Sequence, residues 1–165
     1  MTNAKLNVLL ATALDKAGSD RAQASRIMKR FALAQALAVE EQLSDEDTLI
    51  VAAAAALYDL NDESINPADG DNDAFKPIVI STYIKDLLDD ANLAVFEASA
   101  VGSLIAMQKH GQSIENNLHR LLLDIQTLVL LDEENADKNR AQSALEQLTH
   151  ESAKRRLTLM FGLDA

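Results

Sequence analysis

Three carboxylates that could do chemistry lie close together where an apolar run ends. Asp59, Asp62 and Glu63 follow the run that finishes at Leu57. A group of carboxylates can bind Mg²⁺ or transfer protons as general acid and general base. The same residues also fit a structural interpretation, in which Asp59 ends a buried helix and the other two side chains are solvated. These residues alone leave both interpretations open.

The histidines do not complete a catalytic or metal-binding group. There are three, His110, His119 and His150, and no two of them have the spacing that pairs ligands on one helical face. None lies near the three carboxylates in the sequence. Histidine is the commonest metal ligand and general base, but we expect all three to be surface or helix-capping residues.

The acidic segment 69–73 begins like an EF-hand calcium loop, but the match fails further on. Ala74 stands at the sixth position, where the sharp turn needs glycine, and Ile80 stands at the twelfth, where a bidentate glutamate belongs. The chain also lacks a glycine-rich phosphate loop, a Gly-x-Ser-x-Gly elbow and a His-Glu-x-x-His pair. The sequence therefore contains no complete catalytic or metal-binding motif.

Helices must position these residues, because apolar residues recur at helical spacing almost throughout and strand alternation is absent. We predict an all-α fold, with residues 1–165 forming one domain built as a compact bundle of about seven helices. The predicted helices are 3–17, 20–43, 45–60, 76–89, 91–109, 114–131 and 134–160. Val51 and the alanines that follow it have small side chains, which predicts that the third helix lies at the centre of the bundle.

Breaker and capping residues set the predicted helix ends. Gly18 suits the left-handed residue that follows the first helix, and Ser19 or Asp20 can cap the second. Ser44 begins a variant of the capping box at the start of the third helix. Segment 61–74 is the one long loop, and loops of that length are more often functional than short ones.

Charge and composition exclude several classes of function. Acidic residues outnumber basic residues by 26 to 15, which gives the 165-residue chain a net charge of −11. Such a chain repels nucleic acids and anionic membranes, so we expect neither as a partner. The lack of cysteine excludes disulfides and zinc–thiolate sites and agrees with a cytoplasmic location. No apolar run fits a membrane span or a signal peptide.

Three segments occur in an order known from one helical superfamily. They are 19–27 (SDRAQASRI), 45–66, which contains AAAAALYDLNDE, and 113–125 (SIENNLHRLLLDI). This order resembles the HD-domain phosphohydrolase superfamily, especially its small stand-alone bacterial members. There the first block reads His-Asp-x-x-His, and the second ends an alanine-rich helix with His-Asp. The resemblance implies an HD-domain-like helical bundle, shortened here in the region 90–112.

The metal-binding histidines of that superfamily have no counterparts in this chain. Ser19 and Gln23 occupy the histidine positions of the first block, and Tyr58 precedes Asp59 where the motif histidine belongs. Segment 94–100 lacks the later metal aspartate. Because Ser, Gln and Tyr are poor ligands for transition metals, the resemblance implies no catalytic residue and no metal cofactor. It implies a vestigial pocket, formed by Ser19, Asp20, Gln23, Arg26, Tyr58, Asp59, Asp62 and Glu63.

We therefore expect a degenerate, catalytically inactive protein that binds a small ligand or a protein partner through this pocket. Two alternatives stay open. One is an active hydrolase of phosphate esters or nucleotides that uses Mg²⁺ or Mn²⁺ at Asp59, Asp62 and Glu63. The other is a structural helical domain that assembles as a homo-oligomer.

The same resemblance makes a specific prediction about the Asp59 carboxylate. It places Asp59 near the centre of the helical bundle and Arg26 on the adjacent helix. We therefore predict that Arg26, or a neighbouring backbone or hydroxyl group, holds Asp59 in place of the metal. Removing one member of a buried ion pair costs roughly 3–5 kcal/mol, because the other charge is left unpaired.

Overall fold

Eight α-helices account for most of the residues that the computed structural model describes, which are 2–60, 82–109 and 116–164. The described residues contain no strand, which confirms the all-α prediction for this part of the chain. The helices are α1 (Thr2–Ala17), α2 (Arg21–Glu40), α3 (Asp45–Leu57), α4 (Thr82–Asp90), α5 (Val95–Lys109), α6 (Asn117–Glu133), α7 (Lys138–Leu145) and α8 (Glu151–Phe161). A 3-10 turn, Tyr58–Leu60, continues α3.

Helix α3 is the centre of the described structure, as the alanine run predicts. Every residue from Leu49 to Leu57 is buried, and α3 packs against α1, α2, α5 and α6. Small side chains let neighbouring helices approach closely on all sides, since the distance between packed helices depends on the side chains at the contact. This position puts the C-terminal end of α3, and with it Asp59, against the first half of α2.

The end of α1 and the starts of α2 and α3 follow the predicted capping residues. Gly18 has a φ of +55°, the left-handed conformation that suits glycine after a helix. Asp20, rather than Ser19, caps α2, because its carboxylate accepts a hydrogen bond of 3.0 Å from the backbone N–H of Gln23. At the start of α3, Ser44 accepts a bond from the backbone N–H of Asp47.

The predicted single helix 134–160 is wrong, because two helices, α7 and α8, occupy that region. The break between them is stabilised from α6. Asp124 accepts hydrogen bonds from the backbone N–H groups of Thr149, at 3.1 Å, and His150, at 2.9 Å. In a continuous helix these groups would donate to carbonyls four residues earlier. A buried carboxylate on another helix thus binds the two residues that precede α8, of which His150 is the N-cap.

The remaining predictions about loops fall on parts of the chain that the structure does not describe. The long loop 61–74, with the calcium-like segment 69–73, and the first residues of the predicted helix 76–89 lie outside the described residues, as does His110. No helix in the described part combines the length and the apolar character that crossing a membrane requires.

Candidate functional site

Asp59 is the centre of a group of polar side chains between α2 and the end of α3. Nε of Arg26 donates a hydrogen bond of 3.2 Å to Oδ2 of Asp59. Nη1 of Arg30 forms an ion pair with the same oxygen. The predicted contact between Arg26 and Asp59 is therefore confirmed, and a second guanidinium that the sequence did not lead us to expect shares the carboxylate.

The spacing on α2 explains why three of its residues reach Asp59. Gln23, Arg26 and Arg30 are separated by three and four positions, which places them on one face of a helix. Nε2 of Gln23 donates a long hydrogen bond of 3.4 Å to the backbone carbonyl oxygen of Asp59. Arg30 lies one turn beyond Arg26, so the helical period was the signal by which the sequence could have identified it.

Tyr58 takes part in the same cluster through its ring. Cζ of Arg30 lies 5.3 Å from the centroid of the Tyr58 ring, a cation–π geometry. Gln23, Arg26, Arg30, Tyr58 and Asp59 are called the Asp59 cluster below. In it, the Tyr58 ring packs against the guanidinium of Arg30.

Burial in the Asp59 cluster is partial, which differs from the expectation that Asp59 lies deep in the bundle. The Asp59 side chain is 18% exposed and that of Arg26 is 31% exposed, whereas Arg30 is at 11%. On its outer side Arg26 approaches α6, where its Nη1 is 3.8 Å from Oε1 of Glu133. Asp59 lies at the margin of the bundle because the 3-10 turn carries it beyond the buried end of α3.

Two of the other predicted pocket residues, Ser19 and Asp20, do not join the cluster. Ser19 is exposed in the turn before α2. Asp20 is also exposed, and its carboxylate is used in capping α2. Asp62 and Glu63 lie outside the described residues. Of the eight predicted residues, the cluster unites Gln23, Arg26, Tyr58 and Asp59.

Among the described residues, the donor set around Asp59 does not fit a divalent metal ion. Its one carboxylate is already shared by Arg26 and Arg30, and the neighbouring groups are an amide and a phenol ring. Transition metals in such a site prefer imidazole and carboxylate. Nowhere in the described ranges do three His, Asp or Glu side chains converge in a way that could hold a metal ion.

Two histidines are buried. His119 lies inside α6, so the expectation of a surface or capping residue is wrong for it, whereas His150 is the N-cap residue of α8, although its side chain makes no capping hydrogen bond. Nδ1 of His150 lies 2.8 Å from Oδ2 of Asp124, and its Nε2 lies 2.9 Å from Oδ1 of Asn117. His119 is also buried, with its Nδ1 3.1 Å from Nε2 of Gln108. Buried polar groups need such partners. These contacts join α8 to α6 and α6 to α5, which indicates a structural role.

Asp124, Thr149, His150 and Asn117 are called the Asp124 network below. One signal for this network was present in the sequence. Asp124 lies three residues after Leu121 and four before Leu128, which places a carboxylate in the apolar stripe of α6. A charge at such a position must be paired. The stripe indicates that Asp124 is buried, but it cannot indicate which partner pairs with it.

Comparisons of the chain with protein-family models, with curated proteins and with solved structures give no significant match. The case for a function therefore depends on the chemistry of the described side chains.

Proposed function

We propose that this protein is a degenerate HD-domain-like protein without metal-dependent phosphohydrolase activity, and that it acts by binding a small ligand or a protein partner. The observation that supports the proposal is that two arginines contact the carboxylate of Asp59. Arg26 and Arg30 both contact the carboxylate that, by the resemblance, would otherwise belong to a metal site. The guanidinium groups take over the charge compensation that a metal would provide.

Electrostatics argues against a cation at this position. Two unit charges 4 Å apart interact by about 4 kcal/mol at an effective dielectric constant of 20. A divalent ion bound to Asp59 would lie near two guanidinium groups, and each would repel it by more than that amount. This repulsion opposes the attraction of the single carboxylate, and Gln23 and Tyr58 contribute no negative charge.

The same cations favour an anionic partner group. Guanidinium groups recognise carboxylates and phosphates through paired N–H donors. Arg26 and Arg30 share one carboxylate oxygen, so their donors exceed the acceptors that Asp59 offers. Nε of Arg30 is buried, and no residue in the described ranges accepts a hydrogen bond from it. A carboxylate or phosphate group on the ligand is the chemistry that matches this surplus of donors.

The catalytic part of the proposal is tested by hydrolysis of nucleotide phosphates with Mn²⁺, Mg²⁺ or Co²⁺ added. We expect the wild-type protein and an Asp59→Ala variant to give the same background rate. Metal-dependent turnover that disappears in Asp59→Ala would refute the proposal and favour the active-hydrolase alternative.

The binding part is tested by thermal shift with nucleotide phosphates in the presence of a chelator. A stabilisation that is lost in Arg30→Gln and kept in Arg21→Gln would support binding at the Asp59 cluster, since Arg21 is an exposed residue at the start of the same helix. If there is neither turnover nor a shift, and the protein sediments as an oligomer, the structural alternative is favoured.

A further inference from the structure

A second feature, separate from the Asp59 cluster, is an apolar groove between α2, α6 and α8. Its volume is about 350 Å³, which is at the lower end of the range of roughly 300–1,000 Å³ for small-molecule sites. The apolar part of its lining consists of Ala32, Leu33, Ala36, Leu128, Val129 and Met160. Ala32 and Ala36 lie one helical turn apart, and their short side chains keep the middle of the groove open.

The charges that line the groove have a positive balance, in contrast to the chain as a whole. The charged lining residues are Lys29, Asp132 and Arg156, whereas the full sequence has a net charge of −11. Nζ of Lys29 is 2.6 Å from Oδ2 of Asp132, so these two charges compensate each other. Arg156 supplies the remaining positive charge of the lining, since its partner Glu40 does not line the groove.

The guanidinium of Arg156 has more hydrogen-bond donors than its partners can accept from. Its Nη2 lies 2.6 Å from Glu40, but Glu40 also pairs with Arg155 at 2.6 Å, so two guanidinium groups share one carboxylate. Nε of Arg156 is buried, and no described residue accepts a hydrogen bond from it. A buried donor without an acceptor is costly, so an oxyanion that met this nitrogen after a small movement of the partly exposed side chain would relieve the cost.

We propose that this groove binds a free medium-chain carboxylate, with its alkyl chain on the apolar lining and its carboxylate paired with Arg156. The volume accommodates roughly ten to twelve methylene-sized groups if each takes about 30 Å³, close to the share of a water molecule in the liquid. A second copy of the chain or an anionic membrane is a poorer occupant, because each brings many negative charges against the net charge of −11, whereas a free carboxylate brings only one.

The test uses decanoate below its micelle-forming concentration and protein carrying ¹³C-methyl methionine. Met160 lines the groove, whereas Met28 is a half-exposed residue of α2 that does not. We expect decanoate to shift the Met160 methyl resonance with saturation and to leave that of Met28 in place. Decylamine, which has the same chain and a positive head group, should bind at least tenfold more weakly.

Matched variants separate the role of Arg156 from general charge. Arg156→Gln should weaken decanoate binding at least tenfold, and Arg155→Gln should leave it within twofold, since both arginines pair with Glu40 but only Arg156 lines the groove. Ala36→Phe, which fills the groove without removing a charge, should also abolish the Met160 shift. Circular dichroism of each variant checks that it is folded.

Several results would overturn the proposal. Equal shifts at Met28 and Met160 would mean that decanoate adsorbs on exposed apolar residues in general. Equal binding of decylamine and decanoate, or an equal loss of decanoate affinity in Arg155→Gln and Arg156→Gln, would show that Arg156 does not bind the carboxylate. Sedimentation showing a dimer that Ala36→Phe disperses would assign the groove to a second copy, and binding to anionic phospholipid vesicles but not to decanoate would assign it to a membrane.

Discussion

Nε of Arg26 on α2 and the carboxylate of Asp59 after α3 are joined by a hydrogen bond of 3.2 Å. The contact connects the exposed start of one helix to the end of the most buried one. Because Arg30 contacts the same carboxylate from the next turn of α2, loss of Arg26 leaves Asp59 with a counter-charge. Removing Arg26 therefore does not leave Asp59 as an unpaired buried charge, and the full cost of such a charge does not apply to that substitution.

We expect Arg26→Met to lower the free energy of unfolding by about 1–2 kcal/mol, between the values for exposed and buried ion pairs. Arg30→Met should cost more, because Arg30 is the less exposed of the two arginines. Urea unfolding of Arg26→Met, Asp59→Asn and the double variant measures the coupling. It should reach at least about 0.5 kcal/mol, as for residues in direct contact. Strictly additive effects would show that the contact contributes nothing to stability.

The Asp124 network should be more important for stability than the Asp59 cluster. Asp124 is almost fully buried and accepts hydrogen bonds from two backbone N–H groups, and Nδ1 of His150 lies 2.8 Å from it. Each buried donor left without an acceptor costs about 1–3 kcal/mol. We expect Asp124→Ala to lower the free energy of unfolding by about 3 kcal/mol in urea titrations. Asp132→Ala, an exposed position on the same helix, should cost under about 1 kcal/mol; similar losses in both would contradict the assignment.

The close packing around α3 leads to a steric prediction. Ala54 is fully buried in α3, whereas Ala11 is exposed in α1. Ala54→Leu adds three carbon atoms where neighbouring helices already touch, and overpacking of this kind costs typically 1–3 kcal/mol, or roughly 3 at so enclosed a site. Ala11→Leu should stay within about 0.5 kcal/mol of the wild type. Thermal melts compare the two, and an equally mild effect of both substitutions would mean that α3 is loosely packed.

The sequence predicted those features that depend on local pattern. The capping residues Asp20 and Ser44 and the central position of α3 follow from spacing and side-chain size, and each has the expected place in the structure. The break between α7 and α8 did not follow, because the hydrogen bonds that stabilise it come from Asp124 on another helix, and the apolar pattern on both sides of the break is helical. Tertiary contacts override local pattern in this way.

The candidate site shows the same division between local and tertiary information. Arg26 was predicted beside Asp59 from a resemblance in the order of segments, and the contact is present. Arg30 was missed, although its helical spacing from Arg26 was visible, because nothing in a single sequence shows how far one guanidinium satisfies a carboxylate. The depth of Asp59 was also misjudged, since α3 changes to a 3-10 turn at Tyr58 and the helical spacing does not indicate that change.

The ion pair between Lys5 and Glu97, which joins α1 to α5, should make stability depend on pH. Nζ of Lys5 lies 2.9 Å from Oε2 of Glu97, and the backbone N–H of Ala94 donates to the same oxygen at 2.7 Å. The hydrogen bond from Lys5, with that from Ala94, lowers the pKa of Glu97 from its ordinary value of 4.5, although burial opposes the change. Below that value the unfolded chain takes up a proton that the folded protein still resists, so stability falls as the pH decreases.

We therefore expect the stability difference between wild type and Glu97→Gln to be largest near neutral pH and to shrink as the pH falls from about 5 towards about 3. Urea unfolding at a series of pH values measures it. Glu146→Gln is the matched control, because it removes the same charge from an exposed position at the end of α7. Its curve should run parallel to that of the wild type. If Glu97→Gln also ran parallel to the wild type through this range, the carboxylate of Glu97 would not be held by Lys5 in solution.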